Sequence, residues 1–258
     1  MKLIKNRVKN SWFYRRIIQR RRIGQLKQWT SHDQEMMRFY AQFVSGTSPL
    51  CFDVGANIGN RVKIFLALHA TVVAIEPQAQ CVKMLGKAFS GDPKLEIVQK
   101  AVGETEGQAE IVMSDADTIS SMSREWIEAV RESGRFPDND WYKPVVVPMT
   151  TLDQLIAEYG RPDFIKIDVE GYEYQVIKGL SQSIPAISFE FTPEYLESTF
   201  RCIDHLQGIG DIRLNFSLME SMSLALQEWT GPQAVKEKLA SYRDDNRIFG
   251  DVYVRFEG

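Results

Sequence analysis

Two glycines, Gly55 and Gly59, stand between an apolar stretch and a segment with a helical pattern. Glycine lets the backbone turn tightly and approach a ligand, and the helix that follows points unpaired N–H groups toward it. Glu76 ends the next apolar stretch, 21 positions after Gly55, where a carboxylate can accept hydrogen bonds from ribose hydroxyls. The pattern predicts a site for a nucleoside cofactor.

The spacing of this turn indicates which nucleoside it suits. A dinucleotide turn reads Gly-x-Gly-x-x-Gly, whereas this chain has Asp53-x-Gly55-x-x-x-Gly59. Asp53 would repel a pyrophosphate, but it could hold the ammonium group of S-adenosylmethionine, directly or through water. The carboxylate of that ligand would meet the helix N-terminus and Asn57. The turn favours a methyl donor, although a glycine pair of this kind also serves as a plain strand–helix turn in other α/β proteins.

The predicted cofactor residues divide by the part of the ligand that each would contact. Pro77 is expected to begin the helix after Glu76, because its missing N–H costs nothing at that position. The residues after the third apolar stretch should pass near the adenine, with Lys100 itself solvated. The assignments are Asp53, Gly55, Asn57 and Gly59 to the methionine end and Glu76 to the ribose, with Pro77 beside it at the start of the next helix, and Lys100 and Ala101 in the segment 99–102 near the adenine.

Three carboxylates close two later apolar stretches: Asp168 and Glu170 follow the first, and Glu190 ends the second. In open α/β sheets, ligands bind outside the carboxyl ends of the strands, so these groups should face the same crevice as the glycine turn. In another interpretation, Glu170 stabilises the N-terminus of the next helix and Lys166 is its structural partner.

Methyl transfer to oxygen requires that the acceptor be held in line and lose its proton. Asp168, Glu170 and Glu190 are the catalytic candidates, and Asp168 is the first of them, as base or as the group that orients the acceptor. The three carboxylates could instead hold a divalent cation that polarises a sugar diol. The sequence does not choose, and no metal is assigned.

Taken together, these motifs resemble the FkbM-type family of S-adenosylmethionine-dependent methyltransferases. The resemblance implies a class I methyltransferase fold and transfer of a methyl group to a hydroxyl of a sugar, glycan or secondary metabolite. It spans residues 50–191 and rests on Asp53-Val-Gly-Ala-Asn-Ile-Gly59, Ile75-Glu-Pro77, Thr151-Leu-Asp153, Phe164-Ile-Lys-Ile-Asp-Val-Glu-Gly-Tyr-Glu173, Lys178-Gly179 and Ser188-Phe-Glu190.

The chain departs from the family pattern at two places. After Gly59 the family usually has an aromatic or small hydroxylated pair, whereas this chain has Asn60-Arg61-Val62. The glycine often found before the second strand is replaced by His69-Ala70. Both departures lie on the helix after the glycine turn and at its exit, so they leave the cofactor prediction intact.

The elements that must position these residues alternate between strand and helix, which predicts an α/β fold with a parallel sheet. We expect a Rossmann-like, seven-stranded, mostly parallel sheet flanked by helices, with an antiparallel last strand. Strands are predicted at 50–54, 71–76, 95–99, 109–113, 145–148, 164–169, 186–191, 212–218 and 249–256, and helices at 33–44, 60–68, 78–89, 126–132, 151–159, 171–180 and 194–206.

A polar insertion at 114–144 is predicted to form a lid over the site. Its hydroxyl groups, Ser120, Ser121 and Ser123, could line an acceptor pocket, or the loop could be serine-rich simply because it is polar. Its large aromatic residues, Trp126, Trp141 and Tyr142, could stack on sugar rings or form the core of the lid.

Charge divides the chain into a basic N-terminal helical arm, residues 1–45, and a methyltransferase domain, residues 46–258. The first 28 residues hold ten of the 31 Lys and Arg side chains and no acid. Such an arm could bind an anionic membrane surface or an acidic protein, or it could pack on the domain as a solvated helix. Nucleic acid is not expected, because no basic groove with stacking aromatic residues accompanies the arm.

Composition is ordinary for a globular domain, and no apolar run is long enough to span a bilayer. The N-terminus also has no apolar core of a signal peptide, so a cytoplasmic site of action is expected, peripheral to a membrane if the arm binds one. The scattered Cys51, Cys81 and Cys202 are expected to be buried or incidental thiols in a reducing compartment. The oligomeric state is left open.

Two other functions stay open. One is a nucleoside-binding scaffold of a biosynthetic assembly without chemistry of its own, although the strand-end carboxylates argue against it. The other is an NAD-dependent oxidoreductase or epimerase: Tyr174 and Lys178 fit its Tyr-x-x-x-Lys pattern, but the dinucleotide turn is absent.

Overall fold

The computed structural model describes residues 12–114 and 116–257 of the chain. Within these residues strands and helices alternate, as the sequence predicts. The strands are β1 (Leu50–Val54), β2 (Thr71–Ile75), β3 (Leu95–Val98), β4 (Ala101–Val102), β5 (Gly107–Ser114), β6 (Trp141–Thr150), β7 (Phe164–Ile167), β8 (Ala186–Phe191), β9 (Ile212–Leu218) and β10 (Gly250–Phe256). The helices are α1 (Trp12–Lys27), α2 (Ser31–Tyr40), α3 (Asn60–Ala67), α4 (Ala79–Ala88), α5 (Arg124–Ser133), α6 (Leu152–Tyr159), α7 (Glu173–Lys178), α8 (Leu196–Ile209) and α9 (Pro232–Ala240).

Seven of the strands form one sheet in the order β3-β2-β1-β7-β8-β10-β9. Its first five strands are parallel to one another, and β10 pairs antiparallel with both β8 and β9. This confirms the predicted Rossmann-like α/β fold with a seven-stranded, mostly parallel sheet and an antiparallel final strand. The order reverses between β1 and β7, so a crevice opens outside the carboxyl ends of these two strands.

The sheet lies between two helical layers because its central strands are apolar on both faces. In β1, Phe52 and Val54 pack in one core with α6 to α9, and Cys51 packs in the other with α2, α3 and α4. Near-continuous apolar strands of this kind are typical of parallel sheets that are covered on both sides. Asp53 lies on the same face as Cys51, where it is a buried carboxylate in an apolar layer.

Three elements differ from the sequence prediction, and the first is the two-residue strand β4, which was not predicted. The strand expected at 145–148 extends over Trp141–Thr150 and pairs with β5 and β4 in a separate three-stranded sheet. Helix α9 was not predicted. No short stretch of sequence shows which strands pair with each other, so the second sheet could not be derived from periodicity. The ends of the other predicted strands and helices differ from the observed ends by a few residues.

Part of the predicted arm packs as core. Helix α2 begins with a capping box in which Thr30 Oγ1 accepts the Asp33 N–H and Asp33 accepts the Thr30 N–H. Further along, Phe39, Tyr40 and Phe43 are buried beside β1. Lys2, Lys5, Arg7 and Lys9 lie outside the described residues, and the domain boundary at residue 45 stays a prediction.

Among the described residues, none of the helices has both the length and the apolar character that crossing a bilayer requires.

Candidate functional site

The glycine turn joins β1 to α3, and both glycines have positive φ, +85° at Gly55 and +100° at Gly59. A Cβ on Gly55 would lie 1.8 Å from the Asp168 carbonyl oxygen, so glycine is required where the turn passes the end of β7. A Cβ on Gly59 would lie 2.6 Å from the Phe89 ring and 2.7 Å from Leu85. Gly59 therefore permits close packing of α3 on α4.

A cleft of about 490 Å³ opens at the carboxyl ends of the parallel strands. All but one of the residues predicted to bind the cofactor line it, as do the three catalytic candidates. The predicted residues in its lining are Asp53, Gly55, Asn57, Glu76, Pro77, Lys100, Ala101, Asp168, Glu170 and Glu190. Gly59 is the exception and lies behind the turn against α4.

Glu76 is buried at the end of β2, and both of its carboxylate oxygens accept backbone hydrogen bonds. Oε2 accepts the Asn57 N–H at 2.9 Å, and Oε1 accepts the Gln78 N–H at 2.8 Å. These bonds fix the carboxylate between the turns that follow β1 and β2. Because each carboxylate oxygen has two lone pairs, the group can accept further bonds from a ligand hydroxyl.

Asp53 is 2% exposed, and its Oδ2 has no hydrogen-bond partner among the described residues. Burial raises the pKa of Asp53 to about 7, against the opposing effect of the nearby Lys166 and Arg61 cations. A buried carboxylate with an unmet oxygen is the kind of group that a bound cation would satisfy.

One interpretation of the sequence made Lys166 the structural partner of Glu170, but the structure pairs Lys166 with two aspartates instead. The buried ammonium of Lys166 donates to Asp251 Oδ1 at 2.9 Å and to Asp168 Oδ2 at 3.4 Å. Asp251 belongs to β10, which the antiparallel pairing places beside β8. That partner was missed because its only sequence signal is one acidic residue inside an apolar strand.

Oxygen atoms of the Asp168, Glu170 and Glu190 carboxylates lie within 4.8 Å of one another. Burial raises the pKa of Glu170 and of Glu190 well above the ordinary glutamate value, and the neighbouring carboxylates raise both further. A raised pKa makes the ionised form of such a carboxylate a stronger base toward a ligand hydroxyl, and the three groups together are also placed to share a cation.

Glu170 lies before α7, not in its first turn, and has a φ of +55°. Ser121 Oγ donates to its carbonyl oxygen at 2.5 Å. Glu173, the first residue of α7, accepts the Val169 and Gly171 N–H groups, and burial raises its pKa to about 7. The left-handed conformation of Glu170 is thus held from both sides.

Among the three lid serines, Ser120 lines the cleft, and its Oγ accepts the Ser114 N–H. Ser121 is fully buried, and Ser123 caps α5 by accepting the Trp126 N–H. These two side chains hold the lid in place.

Among the lid aromatics, Trp126 and Trp141 are buried and pack edge to face, with ring centroids 6.1 Å apart. Trp126 also contributes to the cleft wall, whereas Tyr142 is 62% exposed. The two tryptophans therefore form the core of the lid.

Two arginines that the sequence analysis did not assign to the site also line the cleft. Arg135 makes a buried bidentate pair with Glu194, at 2.5 and 2.7 Å, which ties the lid to the turn after β8. Arg61, in the first turn of α3, donates to Glu220 at 3.1 Å. Its only sequence signal is the departure from the family pattern after Gly59.

Comparison with known proteins gives a consistent result. A model of the FkbM methyltransferase domain matches residues 53–218. The 2-O-methyltransferase NoeI of Sinorhizobium fredii is 24% identical in an alignment of 183 residues, and the match covers 66% of this chain and 73% of that protein.

Similar solved structures include two methyltransferases. The precorrin-6y C5,15-methyltransferase of Geobacter metallireducens GS-15 is 10% identical, with a TM-score of 0.45 over 87% of this chain and 88% of that one. The C-terminal domain of the precorrin-6Y C5,15-methyltransferase of Rhodobacter capsulatus is 12% identical, with a TM-score of 0.43 over 90% and 92%.

Proposed function

Because the chain belongs to the FkbM methyltransferase family, we propose that it moves a methyl group from S-adenosylmethionine to a hydroxyl oxygen of a sugar, glycan or secondary metabolite. Family membership makes the chain a methyltransferase; the donor and the class of acceptor are the proposal. An oxygen acceptor is supported by the similarity to NoeI, which is named as a 2-O-methyltransferase.

The observation that carries the proposal is that one cleft contains both the residues predicted to bind the donor and the carboxylates predicted to act on the acceptor. Glu76 and Asp53 lie at the ends of β2 and β1, and the carboxylates of β7 and β8 line the same space. A donor bound along the first pair would present its reactive end toward the second group. Strand ends that meet at a switch point are where α/β proteins bind such ligands.

The residues present fit the donor. Glu76 has lone pairs for ribose hydroxyls, and the unmet Oδ2 of Asp53 suits an ammonium group. Lys100, Ala101 and Val102 line the part of the cleft beyond β3, where the adenine is expected. When bound, S-adenosylmethionine supplies a methyl group on a sulfonium, which already has a good leaving group.

The carboxylates would then orient the acceptor and take its proton. Asp168, the first catalytic candidate, is held by Lys166 and is suited to orient a hydroxyl. Glu190 lies at the end of strand β8, and with its raised pKa it would take the proton, with Glu170 beside it. A cation shared by the three groups is the alternative role, and chelation with EDTA should abolish activity only in that case.

The acceptor would lie under the lid. Ser120, Thr192 and Arg135 offer polar contacts there, and Trp126 and Phe136 offer apolar faces. A mixture of this kind suits a polyol or sugar, which presents hydroxyl groups on an apolar ring face.

We also propose that the basic arm binds an anionic membrane surface or an acidic protein, and that the protein acts in the cytoplasm. Neither proposal depends on the contacts in the cleft.

Calorimetry with S-adenosylmethionine, S-adenosylhomocysteine and NAD tests the donor. We expect both adenosyl ligands to bind, NAD not to bind, and Glu76→Ala to weaken the adenosyl ligands about tenfold or more, because hydrogen bonds to a carboxylate are lost. Glu96→Ala, on an exposed position of β3, is the control and should leave binding unchanged. Binding of NAD alone, or of no ligand, would overturn the proposed function.

A further inference from the structure

Two buried polar atoms at one end of the cleft lack hydrogen-bond partners among the described residues. One is Oδ2 of Asp53, and the other is Nε of Arg61. Both residues line the cleft, at the end of β1 and in the first turn of α3. One atom accepts and the other donates, and the groups carry opposite charges. Together they match the ammonium and carboxylate of an α-amino acid, which is the methionine end of the proposed donor.

The guanidinium of Arg61 is held from two directions. Nη1 lies 3.0 Å from Met36 Sδ, and the group lies 6.0 Å from the centre of the Tyr40 ring, so α2 supports it on one side. On the other side Nη2 donates to Glu220. The side chain of Arg61 is 16% exposed, so a carboxylate bound to it would be largely shielded from water.

Glu220 is a weak partner for this arginine. Its side chain is 54% exposed, and it lies in the turn after β9, where Met219 and Met222 both have positive φ. An ion pair with a carboxylate so exposed contributes little stability, since water solvates the carboxylate nearly as well. Glu220 also lines the cleft, so a ligand carboxylate and Glu220 would compete for the same guanidinium.

Asn57, the side chain first assigned to the ligand carboxylate, is less suited to that role. Its Oδ1 accepts the Ile58 N–H at 2.8 Å, which ties the amide into the turn. Arginine, by contrast, offers a planar fork of donors that matches a carboxylate with two parallel bonds.

We propose that Arg61 binds the carboxylate of the methionine part of S-adenosylmethionine, opposite Asp53 at the ammonium group, and that Glu220 pairs with Arg61 in the ligand-free protein. The inference rests on the proposed function and adds to it a cofactor-binding residue and a competing carboxylate.

Two ligands distinguish the loss of a contact between Arg61 and the ligand carboxylate from a general loss of ligand affinity in the cleft. S-adenosylhomocysteine has the amino acid group, whereas 5′-methylthioadenosine keeps the adenosine and the sulfur without it. By calorimetry we expect Arg61→Met to weaken S-adenosylhomocysteine about tenfold or more, the effect of losing hydrogen bonds to a charged group, and to change 5′-methylthioadenosine less than about twofold. Arg213→Met removes another arginine–glutamate pair, at Glu257, and is the matched control.

The variant Glu220→Gln tests the competition between Glu220 and the ligand carboxylate, and it should change the affinity in the opposite direction to Arg61→Met. Because Arg61 is kept, the result does not depend on whether the Arg61 variant folds. Glu220→Gln should strengthen S-adenosylhomocysteine about threefold and leave 5′-methylthioadenosine unchanged, because the competing surface ion pair is weak. Unchanged S-adenosylhomocysteine affinity in both variants, or equal loss for the two ligands in Arg61→Met, would overturn the inference alone. Failure of the wild-type protein to bind either ligand would overturn the proposed function as well.

Discussion

At the residue scale, the site brings three carboxylates close together and places one lysine against the first of them. Lys166 is 1% exposed and contacts Asp168 and Asp251, while Glu170 and Glu190 lie beside Asp168 without a comparable cation. Asp168 is therefore one cause of the raised pKa of both glutamates. Burial and the repulsion between carboxylates thus both raise the pKa of the two glutamates and make their ionised forms stronger bases.

Asp168→Asn is expected to change the pH dependence of methyl transfer in a defined direction. Removing this negative charge lowers the pKa of Glu190 and Glu170, so the acidic limb of kcat/KM should move to lower pH. The plateau should fall about 100-fold, since the acceptor is no longer oriented. Rates measured from pH 5 to 9 test this, with the exposed Asp204→Asn as control. An unmoved limb would exclude the two glutamates as the base.

At the scale of elements, two contacts attach the segment predicted to form a lid, residues 114–144, to the segments that follow β7 and β8. Trp126 of α5 packs directly on Gly171, where a Cβ would lie 2.1 Å from the Trp126 Cγ. The pair of Arg135 with Glu194 adds a second attachment. The same segment, 169–171, contains the strained Glu170, so the docking of α5 also supports the catalytic candidates.

Gly171→Ala and Gly134→Ala separate the docking contact from backbone strain. Both glycines have positive φ, +86° and +71°, but the space around Gly134 is open. Denaturant unfolding should show a loss of about 1 kcal/mol for Gly134→Ala from strain alone. Gly171→Ala should lose about 3 kcal/mol or more, because overpacking is added. Equal losses would show that the close packing of Trp126 on Gly171 contributes nothing.

At the scale of the whole molecule, the free energy of unfolding should depend on the acids that the site requires. Four acids have a pKa above the ordinary value in the folded protein: the buried Asp53 and Glu173 and the half-buried Glu170 and Glu190. An unfolded chain releases these protons at lower pH, so it binds fewer protons than the folded chain above about pH 4.5. The folded state therefore loses stability as pH rises from there through the folded-state pKa values, which are about 7 for Asp53 and Glu173.

Glu190→Gln should stabilise the ligand-free protein while it abolishes activity, because it removes one repelling charge. At pH 7.5 the gain in free energy of unfolding should be on the order of 1 kcal/mol, and it should vanish below about pH 3.5, where the wild-type glutamate is protonated in both states. Denaturant unfolding at several pH values measures it. A gain that is the same at every pH would show that packing, not charge, is responsible.

The sequence by itself determined the elements and the edge at which the chemistry lies. Strand periodicity predicted the seven main strands, and the glycine turn with Glu76 and the carboxylates of β7 and β8 predicted a shared crevice. These features are local, since a strand, a turn and the residue that ends a strand are each encoded in a few neighbouring positions. The rule that parallel strands end at one edge then brings them together.

Only the tertiary structure decided which charges meet. Lys166 pairs with Asp251 across 85 positions, Arg135 with Glu194 across 59, and Arg61 with Glu220 across 159. It likewise decided that β4, β5 and β6 form a second sheet and that Gly59 faces α4. Such pairs form when distant segments pack, and their geometry is set by the sum of many contacts, so no short stretch of sequence carries the information.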